Sequence, residues 1–121
     1  MNIAIIGLGR VGAEFLRQMM VLKEKGVEIV AAADPADTIG KKDAMAKGIP
    51  LQTLEEITAM GESVDIIFDL TGKSEVRKDI RESLREHQNH HTVVAPETIL
   101  SLLWMFIEEK PLPDVHDHKG Y

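Results

Sequence analysis

Short unbroken apolar runs alternate along this chain with longer stretches of helical periodicity. The first run, Asn2 to Ile6, ends at Gly7 and predicts a buried strand. From Arg10 to about Lys25, Val11, Phe15, Met19 and Leu22 recur at helical spacing, with Glu14, Arg17, Gln18 and Lys23 between them. This predicts an amphipathic helix closed by Gly26 as its C-terminal glycine. A second apolar strand, Val27 to Ala33, stops at Asp34-Pro35. Lys41 to Lys47 predicts a short helix, Ile49 to Gln52 a short strand, and Leu54 to Met60 a helix closed by Gly61. Val64 to Leu70 is the strongest strand pattern, and Thr71-Gly72 ends it. Ser74 to about His87 follows as an amphipathic helix with Val76, Ile80 and Leu84 inward, then a strand from His91 to Ala95. Pro96 is expected to open a final helix, where the fixed φ of proline is favourable, and Pro111 and Pro113 to stop it.

Strands that are apolar on both faces and alternate with helices imply a parallel sheet covered on both sides. The expected fold class is therefore α/β, a doubly wound parallel sheet in a single domain over residues 1–110. Residues 111–121 read as a tail or the start of a linker, and no room is left for a substrate domain.

Composition narrows the function classes. The chain has 121 residues, a formal net charge of −6, 44% hydrophobic and 28% charged residues. That balance describes a globular domain with no basic surface for nucleic acid. With no cysteine, disulfides, thiolate metal sites and a cysteine nucleophile are excluded, and a reducing, cytoplasmic location is the expectation. No basic segment precedes the first apolar run, so it is not a secretory signal. The longest apolar stretch, around Ile99 to Ile107, falls far short of the roughly 20 residues of a membrane span.

The chemistry lies in Gly7-Leu8-Gly9-Arg10-Val11-Gly12. This G-x-G-x-x-G follows a predicted strand directly and opens a predicted helix, and the next strand ends at Asp34, twenty-two residues after Gly12. That is the context of a Rossmann dinucleotide site. Gly7 allows the tight turn, Gly9 lets the backbone approach a pyrophosphate, and Gly12 lets the helix pack closely. The amides near Arg10 and Val11 point at the phosphates, and the helix dipole favours the anion. Asp34, with Pro35 beside it, would accept hydrogen bonds from the adenosine ribose and repel the extra phosphate of NADP, which argues for NAD. Lys41 and Lys42 are expected to be solvated helix charges rather than a phosphate clamp. Beyond the Val64 to Leu70 strand, Leu70-Thr71-Gly72 lies where ligands approach open sheets. Thr71 either contacts ribose or phosphate there, or belongs to an ordinary strand-to-helix turn. Lys73 is a further candidate anion contact, and Pro96-Glu97 a candidate neighbour of the nicotinamide.

These segments, with Ala32-Ala33-Asp34 and Asp65 to Gly72, give the chain a resemblance over roughly Met1 to Leu100. It resembles the NAD(P)-binding domain of homoserine and aspartate dehydrogenases and of the glucose-fructose oxidoreductase and inositol dehydrogenase superfamily. The resemblance implies a Rossmann cofactor domain of an oxidoreductase, truncated or lacking its catalytic domain and inactive by itself. Those enzymes carry a second, substrate-binding domain. The sugar-dehydrogenase branch has Glu-Lys-Pro after the strand that here leads into Ala95-Pro96-Glu97, so Lys110 of the later Glu109-Lys110-Pro111 is not carried over. The run Ile5 to Gly12 also resembles stand-alone regulatory domains that gate potassium transport by binding nucleotides. On that alternative the ligand is NAD, NADH or an adenine nucleotide and there is no catalysis.

Other chemical-looking groups read more plainly. His116-Asp117-His118 belongs to a polar tail, and His87 to His91 sit at a helix end where histidine suits the dipole. No metal site is expected. The final helix, residues 97–109, is apolar nearly all round, which predicts a homodimer contact or a neighbouring domain packed on it.

Overall fold

The computed structural model describes residues 1–108. Expectations placed on residues 109–121, including the two prolines, the tail and its histidines, lie outside the described residues. The elements are β1 (Asn2–Ile6), α1 (Arg10–Val21), β2 (Glu28–Ala33), α2 (Ile39–Ala46), α3 (Leu54–Thr58), β3 (Ile66–Asp69), α4 (Ser74–Glu86), β4 (Val93–Pro96) and α5 (Glu97–Glu108). All strand pairs are parallel, in the order β2-β1-β3-β4. The chain therefore leaves β1 first toward one edge of the sheet and then toward the other. In such sheets the crevice at the carboxyl ends of the two central strands is where a ligand fits.

Side chains of β1 alternate between two cores. Ile3 and Ile5 join Phe15, Leu16, Phe68, Leu100 and Trp104 on one face. Ala4 and Ile6 join Ile57, Ile67, Ile80 and Leu84 on the other. Sheet burial on both faces explains why β1 reads as a continuous apolar run. Phe15 packs on Phe68 with ring centroids 4.6 Å apart and planes tilted by 55°, a favourable aromatic geometry.

Several boundaries differ from the sequence expectations. The helix from Arg10 to Lys25 is α-helical to Val21 and tightens to 3₁₀ over Leu22–Lys25, ending at Gly26 with φ +93°. The expected strand Ile49 to Gln52 is a single parallel bridge, Leu51 to Ala32. Pro50 supplies a carbonyl but no N–H to extend a ladder, and Thr53 immediately caps α3. Pro96 does not open the last helix. It is the final residue of β4, opposite Asp69, and α5 begins at Glu97. An edge strand tolerates the missing N–H.

At the amino ends of the strands Asp65 fastens three of them. Its Oδ2 accepts from the Asn2 backbone N–H at 2.7 Å and its Oδ1 lies 2.8 Å from His91 Nε2. The Asn2 bond first, and then His91, hold its carboxyl below the usual carboxylate range. A depressed acid stabilises the fold above its unfolded-state pKa, and that contribution disappears as pH falls through the folded-state value. Asp65→Asn is expected to lower the melting temperature at pH 7. The gap to wild type should close below the carboxylate range, which thermal melts from pH 7 to 2 will follow.

Candidate functional site

The carboxyl ends of β1, β2 and β3 open into one cleft of about 650 Å³, within the range of small-molecule sites. Gly7, Gly9, Asp34, Pro35, Leu70 and Thr71 line it, together with Lys41, Gln52 and Lys73. Residues far apart in the chain thus meet where the β1 crossovers diverge.

The three motif glycines have different reasons to be glycine. Gly7 has φ +102°, and a Cβ there would stand 2.8 Å from the Leu70 carbonyl carbon and 2.9 Å from the Thr71 nitrogen. It permits the left-handed turn and also lets the ends of β1 and β3 approach. A Cβ on Gly12 would overlap the Gly7 carbonyl oxygen outright, so Gly12 seats α1 against the turn. Gly9 is unlike both. Its φ is −74°, and a Cβ there would meet nothing within 4 Å. Nothing among the described residues requires glycine at that position; the space beside it is open to the cleft.

Gly9 is also the N-cap of α1, with no side chain capping it and no acidic residue in the first turn. The first-turn amides of a helix have no intrahelical acceptor, so an anion at this end is favoured by both hydrogen bonding and dipole. Arg10 is exposed, whereas Leu8, Val11 and Gly12 are buried. Leu8 and Val11 fill the core, so their side chains hold the loop rather than face the cleft.

Asp34 ties β2 to this loop. Its Oδ2 accepts from the Leu8 N–H at 2.8 Å and its Oδ1 from the Ala36 N–H at 2.9 Å. A carboxylate has about four acceptor positions, so both oxygens can accept further donors while the backbone bonds fix their direction. On the β3 side the turn is organised by buried Asp69, whose Oδ1 accepts from Thr71 N at 3.2 Å and Thr71 Oγ1 at 2.8 Å. Thr71 Oγ1 in turn accepts from Lys73 N at 3.2 Å. The Thr71 hydroxyl thus shapes the turn, and Gly72 follows with φ +70°.

Sequence reasoning missed several contributors. Gly40 lies within α2, and a Cβ there would overlap the Leu8 carbonyl oxygen, so α2 packs directly on the glycine loop. A glycine inside a helical pattern signals such an approach. Lys41 is not a freely solvated helix charge. It lines the cleft with its side chain 26% exposed, and its Nζ lies 3.9 Å from the exposed Asp37. Gln52, brought beside β2 by the Leu51 bridge, was also missed. Lys42 is exposed, as expected.

Elsewhere, Glu97 is buried at the start of α5. Among the described residues no group of three His, Cys, Asp or Glu side chains is placed to hold a metal ion. Among them, too, no helix is long and apolar enough to cross a membrane.

Neither a protein-family model nor a curated protein matches the chain. Among solved structures it is similar to homoserine dehydrogenase from Thiobacillus denitrificans, with 25% identity and a TM-score of 0.55, over 88% of this chain and 26% of that one. It is also similar to homoserine dehydrogenase from S. aureus, with 22% identity and a TM-score of 0.58, over 90% of this chain and 30% of that one. The chain thus spans less than a third of the length of either enzyme. Sheet order, glycine turn and these neighbours lead to one conclusion: this is a Rossmann-like α/β domain resembling that of homoserine dehydrogenase.

Proposed function

We propose that this domain binds a nicotinamide dinucleotide, with NAD preferred over NADP, as the cofactor module of an oxidoreductase-type protein whose substrate-binding part lies in a further domain or partner. The observation that carries this reading is the open space at Gly9. A glycine that neither the turn nor the packing requires stands at the uncapped start of α1, inside the cleft. A pyrophosphate needs that space, since a Cβ would occupy it.

The rest of the cleft fits the same ligand. The α1 amides near Arg10 and Val11 would hold the phosphates. Asp34 would accept from the adenosine ribose, and Pro35 would border it. The Leu70-Thr71-Gly72 turn would pass under the second ribose, with Lys73 near the phosphates. When bound, the nicotinamide supplies hydride chemistry, and the protein supplies position and electrostatics. The apolar surface of α5, where Leu102, Met105 and Phe106 are more than half exposed, supports a contact there with a second copy or a neighbouring domain.

Calorimetric titration of the purified chain with NAD, NADP and AMP tests the proposal. NAD binding at least about tenfold tighter than NADP is expected, since one repulsive contact of about 1.4 kcal/mol suffices for that ratio. Stronger binding of AMP than of NAD would favour the regulatory-domain reading. Absence of binding to any of the three would overturn both.

A further inference from the structure

The adenosine end of the cleft is apolar apart from a few polar groups, and most of those are already engaged. Leu51, Leu54 and Val76 supply its apolar walls. Thr53 and Glu56 are consumed by a reciprocal cap on α3: Thr53 Oγ1 accepts from Glu56 N at 3.1 Å and Glu56 Oε1 accepts from Thr53 N at 2.9 Å. Gln52 differs. Its backbone is pinned to β2, with its N–H donating to the Ala32 carbonyl at 2.9 Å. Its side-chain Oε1 is nonetheless buried without a hydrogen-bond partner among the described residues. A buried carbonyl oxygen left without a donor is unfavourable, and structures rarely keep one without a reason.

We infer that the Gln52 amide reads the base of the bound nucleotide and selects adenine through its exocyclic amine, an inference that rests on the dinucleotide reading above. The chemistry is specific. An amide can pair with adenine through two bonds, its carbonyl accepting from the N6 amine and its NH₂ donating to N7. Hypoxanthine carries a carbonyl in place of that amine, so on the same edge it offers no donor to Oε1 and sets two acceptors against each other. Asp34, which directly follows β2 two residues after Ala32, would place the ribose next to this wall. A side-chain rotation of Gln52 on binding would give its carbonyl a donor from the base.

The test compares NAD with nicotinamide hypoxanthine dinucleotide, whose base has an oxo group in place of the amine and a proton on N1. Calorimetry on the wild-type chain should show NAD bound about tenfold tighter, the effect of one satisfied against one frustrated hydrogen bond. Gln52→Met, of similar volume, should bring NAD down to the affinity of the analogue while leaving the melting temperature near wild type. Gln52→Glu, which keeps the acceptor, should retain the preference for NAD, and it serves if the methionine variant does not fold. Equal affinity of wild type for the two dinucleotides would overturn this assignment alone, as would a preference that survives Gln52→Met. Failure of the wild type to bind either would overturn the dinucleotide reading and this one with it.

Discussion

Gly12→Ala is expected to unfold the domain under conditions in which Gly9→Ala stays folded. The two positions lie three residues apart in the same motif, yet their surroundings are opposite. A methyl at position 12 would overlap the Gly7 carbonyl oxygen, which belongs to backbone and cannot swing aside like a flexible side chain. Relief requires α1 to lift from the turn, losing contacts of Val11, Phe15 and Leu16 with the core. Overpacking of this kind costs about 3 kcal/mol or more. For a domain of this size that lowers the melting temperature by more than about 10 °C. At Gly9 the backbone is already in a region open to alanine, with φ −74° and ψ −159°, and the added methyl meets no atom of the described residues within 4 Å. Its stability should stay within about 0.5 kcal/mol of wild type. Thermal melts by circular dichroism separate the two. Equal destabilisation would show that the loop differs from the geometry described above.

The second large effect is expected at Asp34, where stability and selectivity can be separated. Asp34→Ala removes the acceptors of the Leu8 and Ala36 N–H groups. Leaving a part-buried donor unpaired costs about 1–3 kcal/mol, so this variant should be both less stable and weaker in NAD binding. Asp34→Asn keeps one carbonyl acceptor and removes the charge. Repulsion between a carboxylate and a 2′-phosphate at about 4 Å is worth a few kcal/mol near a protein surface. The ratio of NADP to NAD affinity should therefore rise at least about tenfold in the asparagine variant. Lys41, half-buried in the same cleft, would then face the added phosphate. Calorimetric titration of both cofactors into each variant measures the ratio. A wild type that already binds NADP as tightly as NAD would mean that Lys41 outweighs Asp34.

Much of this site is legible in the sequence because its central part is local. Gly7, Gly9, Gly12 and the strand before them occupy eleven consecutive residues, and Asp34 follows at the spacing that one helix and one strand impose. The separate reasons for the three glycines follow from the motif, but the close approach of β3 to Gly7 does not: Leu70 and Thr71 reach it only when β3 pairs with β1. Lys41 and Gln52 were misread or missed for the same reason. Helical periodicity cannot tell whether Lys41 faces water or a cleft formed by other elements. Gln52 reaches the cleft through one bridge to Ala32 in a segment whose apolar run suggested a full strand. Thr71 shows a subtler limit. Its position after β3 was identified correctly from the pattern, but its hydroxyl is held by Asp69 and Lys73. It therefore shapes the turn.

The measurement that bears most directly on the central claim is calorimetric titration of NAD into Gly9→Ala beside wild type, at matched fractions folded. Binding to wild type and a loss of at least about tenfold in the variant are expected, because the methyl would fill the space that the pyrophosphate requires. Undiminished affinity in a folded Gly9→Ala protein would contradict it: the open space beside Gly9 would then not be where the dinucleotide lies.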